Sequence, residues 1–391
     1  MQFSESRILT THTGSLPRPA ELVRRYVGHE HGEDIDSAET DRRGRMAVRS
    51  VLRKQIEAGI DIGNDGEQRR DSFNLHIRQR LSGLGGAWER PPRADVDRYP
   101  IFKQMRARLA AATQSASNQS GLPTAIGEVR NIDPNATDRE CAEFLDTIEQ
   151  EGRGLLEYFM TAPSPGILAT SIRNDYYDSD ERYIDALGAA LKIEYEAIAG
   201  HGFILQLDCP DLALERHVFF REQPLATFLG FVEKVVDTIN RSLANVPRDR
   251  VRLHVCWGNS ETPHDCDVPL EDILPLLLRA NVGALVLPFA NPRHAHEFRC
   301  LSKTPLADNQ IIVAGVIDSL TNIVEHPEVV ADRLERVAAA IGDPRRVIAG
   351  TDCGFDTAAG AGRVAEDVVW AKLASLSEGA RIASRKLFDL P

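Results

Sequence analysis

Short apolar runs alternate with stretches of helical periodicity from one end of the chain to the other. This alternation is typical of repeated βα units, which form a parallel sheet flanked by helices. We therefore expect a TIM (β/α)8 barrel with insertions. The pattern predicts nine strands, one more than the barrel holds, so one of the two candidates between residues 124 and 172 is expected to lie outside it. The predicted strands span residues 8–13, 60–64, 124–127, 166–172, 203–207, 251–256, 284–289, 311–317 and 346–351.

The clearest predicted helix begins at Asp36 or Ser37, either of which can cap it, and ends at Gly59. Apolar residues such as Val48 and Leu52 recur within it at helical spacing. Residues 83–122 contain a Pro-Pro pair and a polar run, which favours an excursion from the barrel over a linker. Because no break in composition and no internal repeat divides the chain, we expect residues 1–391 to form a single decorated TIM-barrel domain.

Composition narrows the classes of partner. The chain has 391 residues, of which 42% are hydrophobic and 27% charged, as in a globular protein with a large core. A net charge of −12 without a Lys/Arg-rich block argues against nucleic acid or an anionic membrane as a partner. The N-terminal residues lack a signal-like apolar core and no apolar run is long enough to span a bilayer, so we expect a cytoplasmic location. The sequence leaves open whether the chain forms a homo-oligomer.

Six cysteines are spread over the chain, which favours reduced thiols or metal ligands over disulfides. His254 and Cys256 are two residues apart, so in a strand their side chains point to the same face. Cys353 follows another predicted strand, and parallel barrels gather their functional groups at such C-terminal strand ends. Two thiolates and one imidazole suit zinc, with a fourth position open to a substrate. The alternative for His254 and Cys256 is a core histidine and a buried apolar thiol.

Polar residues follow most of the predicted strands, as they do at the functional mouth of a barrel. Six of these segments read THTGSLPRP at residues 11–19, NDGEQ at 64–68, LDCP at 207–210, HVCWGN at 254–259, NPRH at 291–294 and GTDCGF at 350–355. Together they resemble the catalytic domain of the cobalamin-independent methionine synthase family, in the branch that includes the epoxyalkane:coenzyme M transferases. The resemblance runs from about residue 8 to residue 387. It implies a TIM barrel that uses zinc to activate a substrate thiol for alkylation.

The resemblance also implies roles for individual residues. The implied zinc ligands are His254, Cys256 and Cys353. Among the implied substrate-binding residues, Gly14 and Ser15 would hold a carboxylate, and Glu67 and Asp208 would hold an ammonium. Asp318 is implied to be a polar group of the mouth. Glu67 and Asp208 could instead be acids that cap loops. Besides Asp318, His294 is a candidate catalytic residue, although it could simply face solvent or pair with Glu297. His12 is either structural or an acid, Cys141 and Cys209 are expected to pack in the core, and Asp352 is expected to orient a ligand.

Two positions depart from the family's pattern. Pro288 stands where the synthases have a glutamate that completes the zinc site, so the fourth ligand is missing unless His264 or Cys266 replaces it. Leu320 stands where they have a histidine thought to protonate the departing folate nitrogen. We therefore expect a zinc-dependent transferase that is not folate-dependent.

The leading hypothesis is an enzyme that acts on a small-molecule thiol and an alkyl donor. Its two variants are methyl transfer to a homocysteine-like thiol and addition of a thiol such as coenzyme M to an epoxide. A metal-free lyase is an alternative, but its anionic substrate would require several arginines at the mouth, and only Arg18 and Arg293 are obvious in the sequence. A non-catalytic barrel is the remaining alternative; Pro288 favours it, but it does not explain why His254, Cys256 and Cys353 are all present.

Overall fold

The computed structural model describes residues 1–112, 120–151 and 154–390. In this part of the chain, eight parallel strands lie side by side, and a bridge between Thr11 and Ile62 joins the last strand of the sheet to the first. The sheet is therefore a TIM barrel, which confirms the predicted fold class. Its strands in chain order are β1 (Leu9–Thr10), β2 (Ile62–Gly63), β3 (Glu157–Pro163), β4 (Ile204–Asp208), β5 (Val251–His254), β6 (Ala284–Pro288), β7 (Ile311–Ile317) and β8 (Val347–Thr351).

The prediction for residues 124–172 is wrong. The first candidate belongs to Ser120–Ala125, a strand of a separate small sheet, and the second is the helix Pro165–Ser171. The third barrel strand is β3, which the hydrophobic pattern did not reveal. A signal for the helix was present, because the Ser164 side chain accepts a hydrogen bond from the Ile167 backbone N–H as an N-cap.

Helices cover the outside of the barrel and decorate its ends. The predicted start at Asp36 is confirmed, since its side chain accepts from the backbone N–H groups of Ala38 and Glu39. Gly59 follows the end of that helix with a φ of +77°. The α-helices are Ala20–Glu30, Ser37–Glu57, Ala94–Asp97, Pro100–Ala112, Ala136–Glu151, Pro165–Ser171, Asp180–Gly200, Asp211–Leu214, Leu225–Ser242, Leu270–Leu277, Pro327–Ile341 and Glu366–Leu387, and the 3-10 helices are Leu75–Arg80, Glu215–His217, Arg248–Arg250, Glu297–Ser302 and Pro344–Arg346.

The segment at residues 83–122 pairs outside the barrel. Its strand Leu84–Glu89 is antiparallel to Ser120–Ala125, and Arg173–Asn174 completes the three-stranded sheet. Trp88 donates its indole N–H to the backbone oxygen of Ser171, which ties this sheet to the helix after β3. Residues 113–119 of the predicted excursion lie outside the described residues. The excursion brings several arginines to the mouth of the barrel.

Two apolar layers hold the fold together. One lies between the strands and the surrounding helices, and the other fills the barrel. The residues inside the barrel are Leu9, Ile62, Phe159, Ile204, Ala284, Val286, Ile311, Val313 and Ile348. No helix in the described ranges combines the length and the hydropathy that crossing a membrane requires.

A charged side chain shares the barrel interior with these apolar residues. Arg252 is 1% exposed, and its guanidinium lies 3.7 Å from the centre of the Phe159 ring. It donates hydrogen bonds to Gln206 Oε1, Thr11 Oγ1 and the His12 backbone oxygen. The guanidinium is thus satisfied by hydrogen bonds to β4 and to the residues that follow β1, beneath the mouth.

Candidate metal and substrate site

His254, Cys256 and Cys353 meet at the C-terminal mouth of the barrel. His254 is the last residue of β5, and Cys353 lies two residues after the end of β8. Their ligand atoms, with that of Cys256, all lie within 4.8 Å of one another, and all three residues are buried. The Cys353 Sγ is 3.8 Å from His254 Nε2. The structure therefore brings together the three residues that the sequence indicated as metal ligands.

Asp208 orients the histidine of this cluster. Its Oδ1 lies 3.2 Å from His254 Nδ1, so the ring donates to the carboxylate on one side and presents Nε2 to the cysteines on the other. A carboxylate behind a ligating histidine is a frequent arrangement in metal sites, because it fixes the tautomer and the ring orientation. The family resemblance implied that Asp208 binds a substrate ammonium, and no local pattern indicated this contact.

The two thiols shift each other's pKa in opposite directions. The pKa of Cys256 is held well below its usual range, first by a hydrogen bond from the Cys353 thiol and then, against the effect of burial, by the neighbouring His254. That same hydrogen bond, together with burial, raises the pKa of Cys353. Two cysteine sulfurs and one imidazole form a soft donor set of the kind that zinc prefers. The residues present therefore fit a zinc ion.

A cavity of about 300 Å³ opens directly above this cluster. The candidate substrate-binding residues Ser15, Glu67 and Asp208 line it together with all three candidate metal ligands. Gly14 lies behind Glu67, at a φ of +128°. A Cβ at Gly14 would lie 2.6 Å from Glu67 Oε1, so only glycine leaves room for that carboxylate.

Glu67 is held in an unusual state. Its backbone has a φ of +54°, in the left-handed region that most residues avoid. Its Oε1 accepts a hydrogen bond from Thr161 Oγ1 at 3.0 Å, whereas its buried Oε2 has no hydrogen-bond partner among the described residues. Burial, helped by the negative charge of Asp208, raises the pKa of Glu67 to about 7. A buried carboxylate oxygen without a partner is well suited to receive a cationic group of a substrate.

Four arginines line the same cavity, and neither Arg18 nor Arg293, the two arginines expected at the mouth, is among them. Arg18 is instead buried against Asp356 at 3.0 Å, and Arg293 is exposed away from the cavity. The arginines that do line it are Arg90, Arg93, Arg106 and Arg363. Burial, followed by the charges of the neighbouring arginines Arg106 and Arg90, lowers the pKa of Arg93 to about 10. This arginine-lined wall is positively charged, whereas Glu67 and Asp208 are acidic. The wall therefore favours binding of an anion.

A smaller cavity of about 20 Å³ lies on the other side of the cysteines. Pro288, Asp318 and Leu320 line it together with Cys256 and Cys353. Asp318 Oδ1 accepts hydrogen bonds at 2.8 Å from the backbone N–H groups of Leu320 and of the next residue. The two positions at which the sequence departs from the family's pattern therefore lie beside the candidate metal ligands.

His294 also lines this smaller cavity, but both of its ring nitrogens are engaged. Its Nδ1 lies 3.0 Å from Glu297 Oε2, the pairing considered in the sequence analysis, and its Nε2 lies 2.8 Å from Asp267 Oδ2. The ring stacks on Trp257 at a centroid distance of 3.9 Å. Burial lowers the pKa of His294, but the hydrogen bonds to Asp267 and Glu297 outweigh it and raise the pKa to about 9.

Neither proposed replacement for the missing glutamate joins the three-ligand cluster. His264 places its Nδ1 2.8 Å from Asp267 Oδ2 and its Nε2 2.8 Å from the Ser260 backbone oxygen. The sulfur of Cys266 lies 3.3 Å from Arg98 Nη1 near the surface. Neither His264 nor Cys266 therefore supplies the fourth ligand of the cluster.

The remaining expectations concern residues around the site. His12 is structural, because its buried ring bonds Gln55 Oε1 and accepts from the Gly14 backbone N–H. Cys141 and Cys209 are both buried, as predicted for core residues. Asp352, next to Cys353 in the chain, accepts hydrogen bonds from three consecutive backbone N–H groups that begin at Phe289, and so it shapes the loop after β6.

Known proteins share this architecture. The chain is 27% identical over 387 residues to a methionine synthase of Thermococcus kodakarensis, with 97% of this chain and 94% of that protein covered. It is 26% identical over 347 residues to a methionine synthase of Pyrococcus furiosus, with 88% and 86% covered. A B12-independent methionine synthase from a Shewanella species, solved with selenomethionine, superposes with a TM-score of 0.74 at 20% identity, covering 98% of this chain and all of the other. No family model matches the chain.

The chain is thus similar, over most of its length, to proteins named methionine synthase. The cavity above His254, Cys256 and Cys353 is the candidate active site. Pro288 and Leu320 are the two positions beside it that depart from the pattern expected of a folate-dependent synthase.

Proposed function

We propose that this protein transfers a methyl or other alkyl group to the sulfur of a small-molecule thiol, with zinc bound by His254, Cys256 and Cys353. The observation that carries this proposal is the buried three-ligand cluster under a cavity lined by Glu67 and Asp208. Zinc bound there would lower the pKa of a substrate thiol, so that the thiolate is available at neutral pH without a separate base. The relatives named methionine synthase favour a homocysteine-like thiol.

In this proposal the chain's own residues hold the thiol in place. Glu67 receives the substrate's ammonium, and Gly14 leaves room for that carboxylate. Ser15 lies at the same wall, where a substrate carboxylate would bind. Asp208 holds His254 in the tautomer that presents Nε2 to the cluster. Such pre-organisation matters because a misplacement of about 1 Å can reduce a rate roughly 10²-fold.

The alkyl donor occupies the arginine-lined side of the cavity. During transfer the sulfur–carbon bond forms, and the bond between carbon and the donor's leaving group breaks. Asp318 lines the smaller cavity beside Cys256 and Cys353, and in this proposal it is one of the polar groups near the reacting sulfur. His294 lines that cavity too, but both of its nitrogens already face carboxylates, so we assign it a positioning role through Trp257.

A second candidate function is the addition of an anionic thiol, of the coenzyme M type, to an epoxide. The four arginines of the cavity favour it, because they would pair with a sulfonate. The same arginines would suit the anionic substrate of a metal-free lyase, but that activity leaves the His–Cys–Cys cluster without a use. The cluster likewise argues against a non-catalytic barrel.

A substrate screen tests the proposed function. Zinc-loaded protein is incubated with a panel of small thiols and alkyl donors, and S-alkylated products are detected by mass spectrometry. We expect a product that disappears after chelation and returns when zinc is restored. Product formation that is independent of metal would contradict the proposal.

Glu67→Gln is expected to raise the KM for an amino-bearing thiol roughly 10–100-fold, because it removes a charge-assisted hydrogen bond to the substrate. In the native enzyme, kcat/KM for that thiol is expected to fall as the pH drops through about 7, since protonation of Glu67 removes the charge that receives the ammonium. Steady-state kinetics from pH 6 to pH 9 measure both effects.

The exposed Glu89 provides a matched control, since Glu89→Gln makes the same change outside the cavity. A thiol that lacks the amino group should show neither the KM change nor the titration near pH 7. Equal KM values for the amino-bearing thiol in Glu67→Gln and Glu89→Gln would remove Glu67 from the substrate site.

Arg106→Gln is expected to raise the KM for an anionic co-substrate about tenfold, because it removes one of the charge-assisted contacts of the arginine wall. The KM for the thiol should stay unchanged if the wall holds the donor. Arg108 lies on the same helix, is exposed and does not line the cavity, so Arg108→Gln is the matched control. If both variants behaved alike, the arginine wall would have no role in binding the donor.

A further inference from the structure

A second cluster of metal-ligating side chains lies beside the first. It consists of His264, Asp267 and His294, whose ligand atoms lie within 4.8 Å of one another. Asp267 Oδ2 is 2.8 Å from His264 Nδ1 and also 2.8 Å from His294 Nε2. The Asp267 side chain is only 1% exposed, and the two histidine side chains are 5% exposed. The cluster contains no sulfur and lies among loops rather than on strands.

Hydrogen bonds on the outer side of both rings orient them. His264 places its Nε2 2.8 Å from the Ser260 backbone oxygen, and His294 places its Nδ1 3.0 Å from Glu297 Oε2. Both partners are acceptors, so each ring uses an N–H on its outer side. In the neutral tautomers, the lone pairs of His264 Nδ1 and His294 Nε2 then face Asp267 Oδ2, which is itself an acceptor.

Three such acceptors can converge on one point only if protons on the rings or a metal ion lie between them. An outer carbonyl or carboxylate that binds the far nitrogen of each histidine is the arrangement found around metal-ligating histidines. The spacing is also within reach of a metal, because ligand bonds of about 2.0–2.2 Å place neighbouring ligand atoms about 3 Å apart in an octahedron and roughly 3.4 Å apart in a tetrahedron. The two 2.8 Å contacts would have to widen only slightly.

A third histidine contacts the other oxygen of the carboxylate. His217 Nδ1 lies 2.8 Å from Asp267 Oδ1, but the two atoms are not aligned as a hydrogen bond. His217 is 1% exposed, and its Nε2 has no hydrogen-bond partner among the described residues. His217 thus adds a third imidazole to the surroundings of the Asp267 carboxylate.

We propose that His264, Asp267 and His294 form a second metal site, for a divalent first-row transition ion such as Fe²⁺, Co²⁺ or Zn²⁺. Two imidazoles and one carboxylate are the donor set that these ions share, and the absence of thiolate distinguishes this site from the first. The inference does not depend on the proposed alkyl transfer.

The position of the site indicates what the ion does. His264 and Asp267 lie on the loop after β5, and His294 lies on the loop after β6. His294 stacks on Trp257, the residue next to Cys256. An ion at this site would therefore join the two loops and hold in place the segment that carries one ligand of the first site.

Cobalt binding to a protein without the first site tests the proposal. In the Cys256→Ser/Cys353→Ser protein, we expect a Co²⁺ titration to reach about one equivalent per chain, with ligand-field bands but no sulfur-to-cobalt charge-transfer band. In the native protein we expect about two equivalents, with the charge-transfer band present. The thermal midpoint of the serine protein should rise when Co²⁺ is added.

Adding His264→Gln to the serine protein should abolish the remaining cobalt binding, whereas adding His296→Gln should not. His296 is exposed and lies two residues from His294, which makes it the matched control. A folded serine protein that binds no cobalt would show that protons, rather than a metal, supply the positive charge of the cluster. Retention of one equivalent in the His264→Gln protein would also overturn the proposal.

Discussion

Replacing Cys353 with serine is expected to remove most of the bound zinc and to lower thiol alkylation roughly 10²–10⁴-fold, because the metal contributes several kcal/mol of activation. The loss follows from the geometry: Cys353 is one of only three protein ligands in the cluster among the described residues, and no fourth side chain compensates. Metal content measured by mass spectrometry, together with the initial rate, gives both quantities.

Cys266→Ser is the matched control, because Cys266 is a free, partly exposed cysteine outside the cluster. It should keep its activity and the metal of the first site. Full zinc occupancy of Cys353→Ser under mild chelation, or a native protein that is active without metal, would show that the ligand assignment is wrong.

The second large effect concerns the methyl donor. We expect turnover with methyltetrahydrofolate and homocysteine to be at least roughly 10²–10⁴-fold below that with the best donor, since a departing folate nitrogen needs a proton and Leu320 cannot supply one. Leu320 lies in the small cavity beside the cysteines, where such a proton would be delivered.

A methylsulfonium donor provides the comparison, because it leaves as a neutral thioether and needs no proton. Rates with the two donors are measured on the same zinc-loaded protein with the same thiol. Turnover with the folate donor at a rate typical of enzymes, on the order of 1–10³ per second, would contradict the account.

The ligand cluster could be predicted because strand geometry alone brings its members together. His254 ends β5, Cys256 lies two residues beyond it and Cys353 follows β8, so the closed barrel places all three at one mouth. The fold class followed from the same alternation of strands and helices. These features depend on local periodicity and on one general property of parallel barrels.

Other features depend on contacts that no local pattern reveals. β3 begins with a glutamate and ends with a proline, so its sequence does not read as a buried strand. Arg252 would be placed at the surface by its charge, yet hydrogen bonds from other strands and the Phe159 ring allow it to fill the barrel. Whether a charged side chain can be buried depends on the groups that pair with it, and those groups lie far apart in the sequence.

The arginine wall and the second histidine cluster come from loops far apart in the sequence. Arg93 and Arg363 are separated by 270 positions (363 − 93), and they line one cavity only because the excursion after β2 covers the mouth. Packing between such loops sets the path of each one. The positions of the strand ends therefore do not predict which loop residues meet. Asp208 shows the same limit, since its contact with His254 emerged only from the structure.

Titration of a cobalt-substituted enzyme with homocysteine tests the central claim most directly, because the sulfur-to-cobalt charge-transfer band reports only on a site with thiolate ligands. The account predicts a band in the native protein that changes on addition of thiol, saturates at one homocysteine per chain, and is absent from Cys353→Ser. A band that stays unchanged at saturating homocysteine, with cobalt still bound by the two cysteines, would contradict direct activation of the thiol at this site.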